Sequence, residues 1–258
     1  PGLRDIRATA RAMHHVLLAH GTAIQSMRGL GMSNLGAVCN FEYAAPAYDG
    51  PDARAAARLY DAYYNRFFLS GLFRGEYPAE VMEGFAPHLP KGWQDDFAVI
   101  RAPLDWLGLN YYTRKLIAPD DTPWPGHHEV PGPLPKTAMG WEIYPEGLHH
   151  FLTWVDREYT KGLPLFVTEN GMANDEPIVG NHIADQARID FLDRHLAQVK
   201  RALAEGVPVA GYFTWSLLDN YEWALGYDKR FGLVHVDFET LRRTPKASYH
   251  ELTRALAR

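Results

Sequence analysis

The sequence predicts an α/β fold built on a parallel sheet, and three observations lead there. Amphipathic helical segments alternate strictly with apolar runs of strand length. Those runs are too continuously apolar for a sheet with one wet face. Each ends abruptly in polar residues or glycine, as strands do where a sheet meets a cavity or solvent.

Residues 5–28 read as a helix, with Ile6, Ala10, Met13, Leu17 and Ile24 spaced by three, four or seven. Gly29 and Gly31 break it. A strand follows at 35–40 (Leu35, Ala37, Val38, Cys39), then a helix at 52–70 carrying Ala56, Leu59, Tyr63 and Phe67. The next strand, 104–112, closes on Gly108-Leu109-Asn110-Tyr111-Tyr112. Residues 114–140 are rich in Pro and Gly, and irregular segments of that length are usually lids, binding loops or disordered. Helix resumes after Pro145 and strand at 163–168. In the helix at 183–205, Ile189, Leu192, Leu196, Val199 and Leu203 form one apolar stripe, stopped by Gly206 and Pro208. Strand 208–215 leads into a polar and aromatic loop to about Phe238, and Thr244-Pro245 has the form of an N-cap and first helical residue. The sum is four strands and five helices in one domain, residues 1–258. No G-x-G-x-x-G follows a strand, no P-loop is present and no tandem repeat is evident, so nucleotide-binding and solenoid folds lose support.

Composition narrows the function classes. At 258 residues the chain can bury a substantial core, and 47% hydrophobic with 22% charged residues is ordinary for a globular protein. A net charge of -5 without a dense Lys/Arg run argues against nucleic acid as a partner. Cys39 is the sole cysteine, which excludes an intrachain disulfide and a cysteine-based zinc site and fits a reducing, cytoplasmic setting. No apolar stretch reaches the length of a membrane span. His14-His15, His127-His128 and His149-His150 are adjacent pairs without the H-x-x-x-H spacing of a metal helix, so neither metal nor cofactor is expected. Aromatic residues make up 13%, many near strand ends; they fit a large core or a site where pyranose faces pack on rings.

The most informative run is Leu165-Phe166-Val167-Thr168-Glu169-Asn170-Gly171. A strand buried on both faces that ends in a carboxylate must deliver that carboxylate to a rim, where catalytic side chains of barrels collect. Two other strand ends carry motifs of their own: GLNYYT at 108–113 and FTWSLLDNYEWALGYDKRFG at 213–232.

These three segments, with GWEIYPEGL at 140–148, resemble family 1 glycoside hydrolases, retaining β-glucosidases and their relatives built on a (β/α)8 barrel. The resemblance implies that this chain supplies strands five to eight with their helices. Glu169 then matches the catalytic nucleophile and Tyr112 the tyrosine that hydrogen-bonds it, with Asn110 in the same site. Trp215 matches the platform under the sugar, with a cis peptide to Ser216, and Glu222 and Trp223 match the pair that binds the 4- and 6-hydroxyls. Phe231 closes the pocket and Trp141 matches the leaving-group-side tryptophan. A glutamate at 222 favours unphosphorylated sugars, since a phosphate beside it would be repelled. The implied substrate is a β-glucoside, with β-galactosides or β-fucosides as the alternative within the family; a non-catalytic sugar-binding half-barrel is the other class.

The family's acid/base glutamate belongs to an Asn-Glu-Pro motif that these 258 residues do not contain. Pro1-Gly2 resembles the segment just downstream of it. Asn174-Asp175-Glu176-Pro177 carries an inserted aspartate in a loop after the nucleophile strand, so Glu176 is given no role. The expectation is that the isolated polypeptide is inactive and poorly soluble, and that its partner is an N-terminal half of the barrel.

Overall fold

A computed structural model describes residue 2, residues 5–180 and residues 182–257; Pro1 lies outside them. Helix α1 (Ile6–Gly29) opens the fold, capped by the Asp5 carboxylate, which accepts from the Arg7 backbone N–H at 2.8 Å. Strand β1 (Gly36–Pro46) follows, then α2 (Pro51–Asp61), which has proline at its first position, and α3 (Phe67–Phe73). A π-helical turn at Ala62–Arg66 joins those two helices. Two short helices, α4 (Ala79–Phe85) and α5 (Phe97–Ile100), lead to β2 (Trp106–Pro119) and β3 (His127–Val130). Then come α6 (Glu146–Val155), β4 (Leu165–Asn170), α7 (Gln186–Ala204) and β5 (Val209–Thr214). The chain finishes with β6 (Val234–Val236), β7 (Arg243–Pro245) and α8 (Ala247–Leu256).

Strands β1, β2, β4 and β5 lie in that order and run parallel, with β3 antiparallel on the outer half of β2. The expected alternation of helix and strand is therefore present in an α/β parallel sheet. On one face Phe41, Leu107, Leu109, Tyr111, Leu165 and Val167 pack against Leu148, Phe151 and Val155 of α6 and Val199 of α7. The other face is open: Val38 of β1 is 49% exposed and Phe213 of β5 57%. The expectation that the strands are buried on both faces is corrected here. Phe166 and Thr168 of β4 are only half-buried, because helices cover one side of the sheet.

Boundaries differ in instructive places. β1 runs six residues past Asn40, through a Glu-Tyr-Ala-Ala-Pro stretch whose polarity and proline read as loop. Part of the irregular 114–140 segment is strand, the end of β2 and all of β3. Thr244-Pro245 does not start the last helix: both residues pair with β6, a φ near that of proline being compatible with an edge strand, and the helix begins at Ala247. No helix among the described residues is long and apolar enough to cross a membrane.

Candidate active site

Residues of β1, β2 and β4 and of the segment after β5 converge on a cavity of about 380 Å³. Asn110, Tyr112, Trp141, Glu169, Trp215, Glu222, Trp223 and Phe231 all line it, so residues spread over more than a hundred positions meet in one place. Glu176 does not line it; that loop residue accepts from Asn174 at 3.3 Å instead.

Backbone register aims Glu169. Leu109 faces Val167 across the β2–β4 ladder, but the next pair is Asn110 with Glu169, so one residue of β4 is skipped. Simple alternation would turn Glu169 toward the helices with Val167; the extra residue re-aims it to the open face. There the Tyr112 hydroxyl donates to Glu169 Oε2 at 2.6 Å. Thr168 Oγ1 donates to Asn110 Oδ1 at 2.7 Å, fixing the neighbouring amide.

Each residue after Glu169 has a separate task. Asn170 is fully buried; its amide donates to the Tyr111 carbonyl at 2.6 Å and its Oδ1 accepts from Tyr212 at 2.7 Å, tying β4 to both neighbours. A side chain at Gly171 would overlap the Trp215 carbonyl oxygen, so only glycine lets that carbonyl in. Trp215 in turn donates its backbone N–H to the Asn170 carbonyl at 2.9 Å, and its peptide to Ser216 is cis, as the resemblance implies.

The loop that bears Glu222 and Phe231 is held by two buried ionic residues absent from the expected site. Asp219 accepts from the backbone N–H of Gly232 at 2.9 Å, from Val236 N–H at 3.3 Å and from Arg230 at 3.1 Å. Arg188 of α7 is 1% exposed; it pairs with Asp185 at 2.8 Å and donates to the carbonyls of Met172, Arg230 and Phe231. A charge this deep persists only when such partners surround it. Phe231 is 2% exposed and packs edge-on to Tyr112, with ring centres 6.2 Å apart, while Trp141 tilts against Tyr112 at 5.5 Å. Trp223, by contrast, is 82% exposed on a left-handed backbone position at the cavity mouth.

Electrostatics separates the carboxylates. Glu222 titrates above the usual carboxylate range, first because it is partly buried and second because Glu169 lies near. Burial, with the hydrogen bond to Glu169 and the charges of Glu169 and Glu222, drives the Tyr112 phenol far above its ordinary value, so it remains a proton donor at any working pH.

Sequence reasoning missed five residues that line the same cavity: Asn40, Phe41, Glu42, Tyr64 and Thr113. A signal existed for Glu42, since it is a carboxylate two residues past the expected end of its strand, although β1 in fact continues to Pro46.

The family model for glycosyl hydrolase family 1 matches residues 1–256. The chain belongs to glycosyl hydrolase family 1. It is 42% identical over 251 residues to β-glucosidase A of Thermotoga maritima, an alignment covering 96% of this chain and 56% of that protein. Against the bifunctional β-D-glucosidase/β-D-fucosidase of Bifidobacterium breve it is 39% identical, covering 100% of this chain and 59% of the relative. The solved family 1 β-glucosidase from Thermotoga maritima superposes with a TM-score of 0.95 at 40% identity, over 100% of this chain and 58% of that one. This family 1 chain thus spans a little over half the length of the relatives it matches.

Proposed function

We propose that this chain is the nucleophile-bearing half of a retaining β-glucosidase, supplying strands five to eight of a (β/α)8 barrel as β1, β2, β4 and β5. The observation that carries this reading is the Glu169 carboxylate, held by Tyr112 at 2.6 Å in a cavity also lined by Trp215, Glu222 and Phe231. In the first step a Glu169 oxygen bonds to the anomeric carbon while the bond to the leaving oxygen breaks. That oxygen takes a proton from a general acid outside these residues. In the second step water attacks the anomeric carbon, gives its proton to the same acid, now a base, and frees Glu169. Two displacements give net retention and require the two carboxyl groups to lie roughly 5–5.5 Å apart.

Within this reading Tyr112 orients the nucleophile, Asn110 reaches the sugar from the adjacent strand and Trp215 forms the platform beneath it. Glu222 and Trp223 read the hydroxyls remote from the reacting carbon, and a partly buried carboxylate left unpaired by an analogue lacking them disfavours that analogue. Phe231 walls the sugar pocket and Trp141 faces the leaving group. The Bifidobacterium breve relative, named for both glucosidase and fucosidase activity, supports β-fucosides as the second substrate class. The partner is an N-terminal barrel half that contributes the acid; no cofactor, nucleic acid or membrane enters the reaction, and the setting is cytoplasmic.

The test is covalent. A 2-deoxy-2-fluoro β-glucoside, applied to the chain together with that N-terminal half, is expected to esterify Glu169, read as a mass increment on the peptide spanning 165–171. Labelling of another residue removes the assignment.

A further inference from the structure

The loop from Asp219 to Gly232 carries Glu222, Trp223 and Phe231, and its two ends are clasped together. Asp219 Oδ1 accepts from the Gly232 N–H at 2.9 Å, and the Asp219 N–H donates to the Val234 carbonyl at 3.1 Å. Gly232 permits this approach, since a side chain there would overlap the Asp219 backbone nitrogen. Asp219 Oδ2 takes Arg230 at 3.1 Å. Glu222 follows Asp219 by three residues and Phe231 directly precedes Gly232, so the clasp fixes where both side chains leave the backbone. Inside the loop the Glu222 N–H donates to the Gly226 carbonyl at 2.7 Å and the Leu225 N–H to the Glu222 carbonyl at 2.8 Å. Such a tight turn moves with its base.

The last helix reaches this clasp through a buried lysine that the proposed chemistry does not use. Lys246 stands at the N-cap of α8, is 2% exposed, and places its Nζ 3.5 Å from Asp219 Oδ1. Its backbone N–H donates to the Leu233 carbonyl at 3.0 Å, and the Ala247 N–H donates to the Ile183 carbonyl at 2.9 Å, which anchors the start of α8 beside the loop. Two residues on, the buried Ser248 hydroxyl donates to Asp185 Oδ2, the oxygen that also accepts from Arg188. Arg188 in turn reaches the Phe231 carbonyl at 3.3 Å. The first turn of α8 thus acts on the loop base by two routes, one through Asp219 and one through Asp185 and Arg188. A buried ion pair adds little net stability, because desolvation offsets much of the attraction, so Lys246 is better explained by what it positions. Without its ammonium, Asp219 Oδ1 keeps the Gly232 N–H alone, and the carboxylate is drawn toward Arg230 on its other side.

We propose that Lys246 is a positioning residue for sugar recognition: by holding Asp219 it sets the loop so that Glu222 and Trp223 meet the 6-hydroxyl, and so favours glucosides over 6-deoxy sugars. This rests on the β-glucosidase reading above, in which Glu222 and Trp223 read the hydroxyls remote from the reacting carbon. Lys246 does not line the cavity, and its effect passes through Asp219.

The experiment uses the chain paired with its N-terminal half and compares 4-nitrophenyl β-glucoside with 4-nitrophenyl 6-deoxy-β-glucoside, which lacks one hydroxyl. For Lys246→Met, which keeps a long unbranched side chain and removes the ammonium, the ratio of kcat/KM for the glucoside to that for the 6-deoxy sugar is expected to fall roughly 5-fold. Lys246→Gln, which retains a donor, should lower the same ratio by a smaller factor. A loss of folded protein reduces both activities alike and leaves the ratio where it was, so an unchanged ratio overturns the proposal whatever the total activity. If Lys246→Met yields no active enzyme, the Lys246→Gln ratio decides by the same criterion. A ratio already near one in the unsubstituted protein overturns the proposal through its premise that the loop reads the 6-hydroxyl. Failure of that protein to hydrolyse the nitrophenyl glucoside at all overturns the glucosidase reading itself, and this inference with it.

Discussion

The two ends of the cavity are built in different ways. At the Glu169 end, consecutive residues do the building: Glu169 projects into the cavity, Asn170 ties three strands together and Gly171 admits the Trp215 carbonyl. At the Glu42 end the parts are spread over an irregular strand, the end of α2 and the π-helical turn after it, some twenty residues away, joined by Tyr60 and Asn65. A reacting carboxylate needs its position fixed within fractions of an ångström, which short covalent spacing secures. The Glu42 carboxylate, by contrast, takes its position from a second element, through Asn65 and Tyr60.

The largest expected effect tests the chemical end of that contrast. Glu169→Gln is nearly isosteric and keeps an acceptor for Tyr112, but it cannot form the ester. In the paired enzyme kcat/KM for nitrophenyl β-glucoside is expected to fall by at least about 10⁴-fold while the fold, followed by circular dichroism, stays intact. Residual activity within tenfold of the parent would mean that the carboxylate is not the nucleophile.

Gly171→Ala comes next and asks whether the geometry, rather than the carboxylate alone, is required. The added carbon meets backbone, the Trp215 carbonyl, which cannot swing aside as a side-chain tip would. Overpacking of this kind costs about 1–3 kcal/mol of stability. Displacing Trp215 should also cut kcat/KM by about 10²-fold, since small misplacements in an active site cost that much. A urea titration and the same hydrolysis assay check both parts; a variant equal to the parent in each shows that the Gly171–Trp215 contact is not needed.

The contrast also accounts for what was legible in the sequence. Four parallel strands could be read from apolar runs such as Leu165 to Val167, because a run that apolar is stable only where a sheet face is packed away from water. All eight expected site residues line one cavity, since each sits in a short contiguous motif on or just after a parallel strand or in a loop beside it. Glu42 escaped notice because its setting depends on Asn65, which replaces a missing strand partner and sits in a turn that helical periodicity cannot distinguish from ordinary helix. β3 was hidden for a related reason: His127-His128-Glu129-Val130 is a short strand without an apolar pattern, and β6 buries Val234 and Val236 but alternates over only three residues. Asp219 and Arg188 have no local signature either, for their worth lies in the carbonyls and amides that the fold brings to them.

The smallest effect concerns Glu222, whose carboxyl group is raised above its ordinary value by partial burial and by Glu169. A group whose folded value exceeds its unfolded one holds its proton more tightly in the fold. Its contribution to stability is thus complete below the unfolded carboxylate value and is lost as pH rises through the folded one. Glu222→Gln has no proton to lose. The difference in unfolding midpoint, variant minus parent, should therefore be more positive at pH 7 than at pH 4, by an amount kept small because the group is partly open to water. The distant end of the cavity provides the control. Glu42 is also raised, chiefly by burial, and the charges that act on it most are those of Lys115 and Glu129. Combining Glu169→Gln with Glu222→Gln should consequently shrink the pH-dependent part of the Glu222 effect, because the neighbouring charge is gone, whereas Glu169→Gln should leave the pH-dependent part of a Glu42→Gln effect as it was. Urea midpoints at the two pH values for the parent, the single variants and the two double variants measure both couplings, and an equal response of Glu42 and Glu222 to the loss of Glu169 would show that the two ends of the cavity are one electrostatic unit.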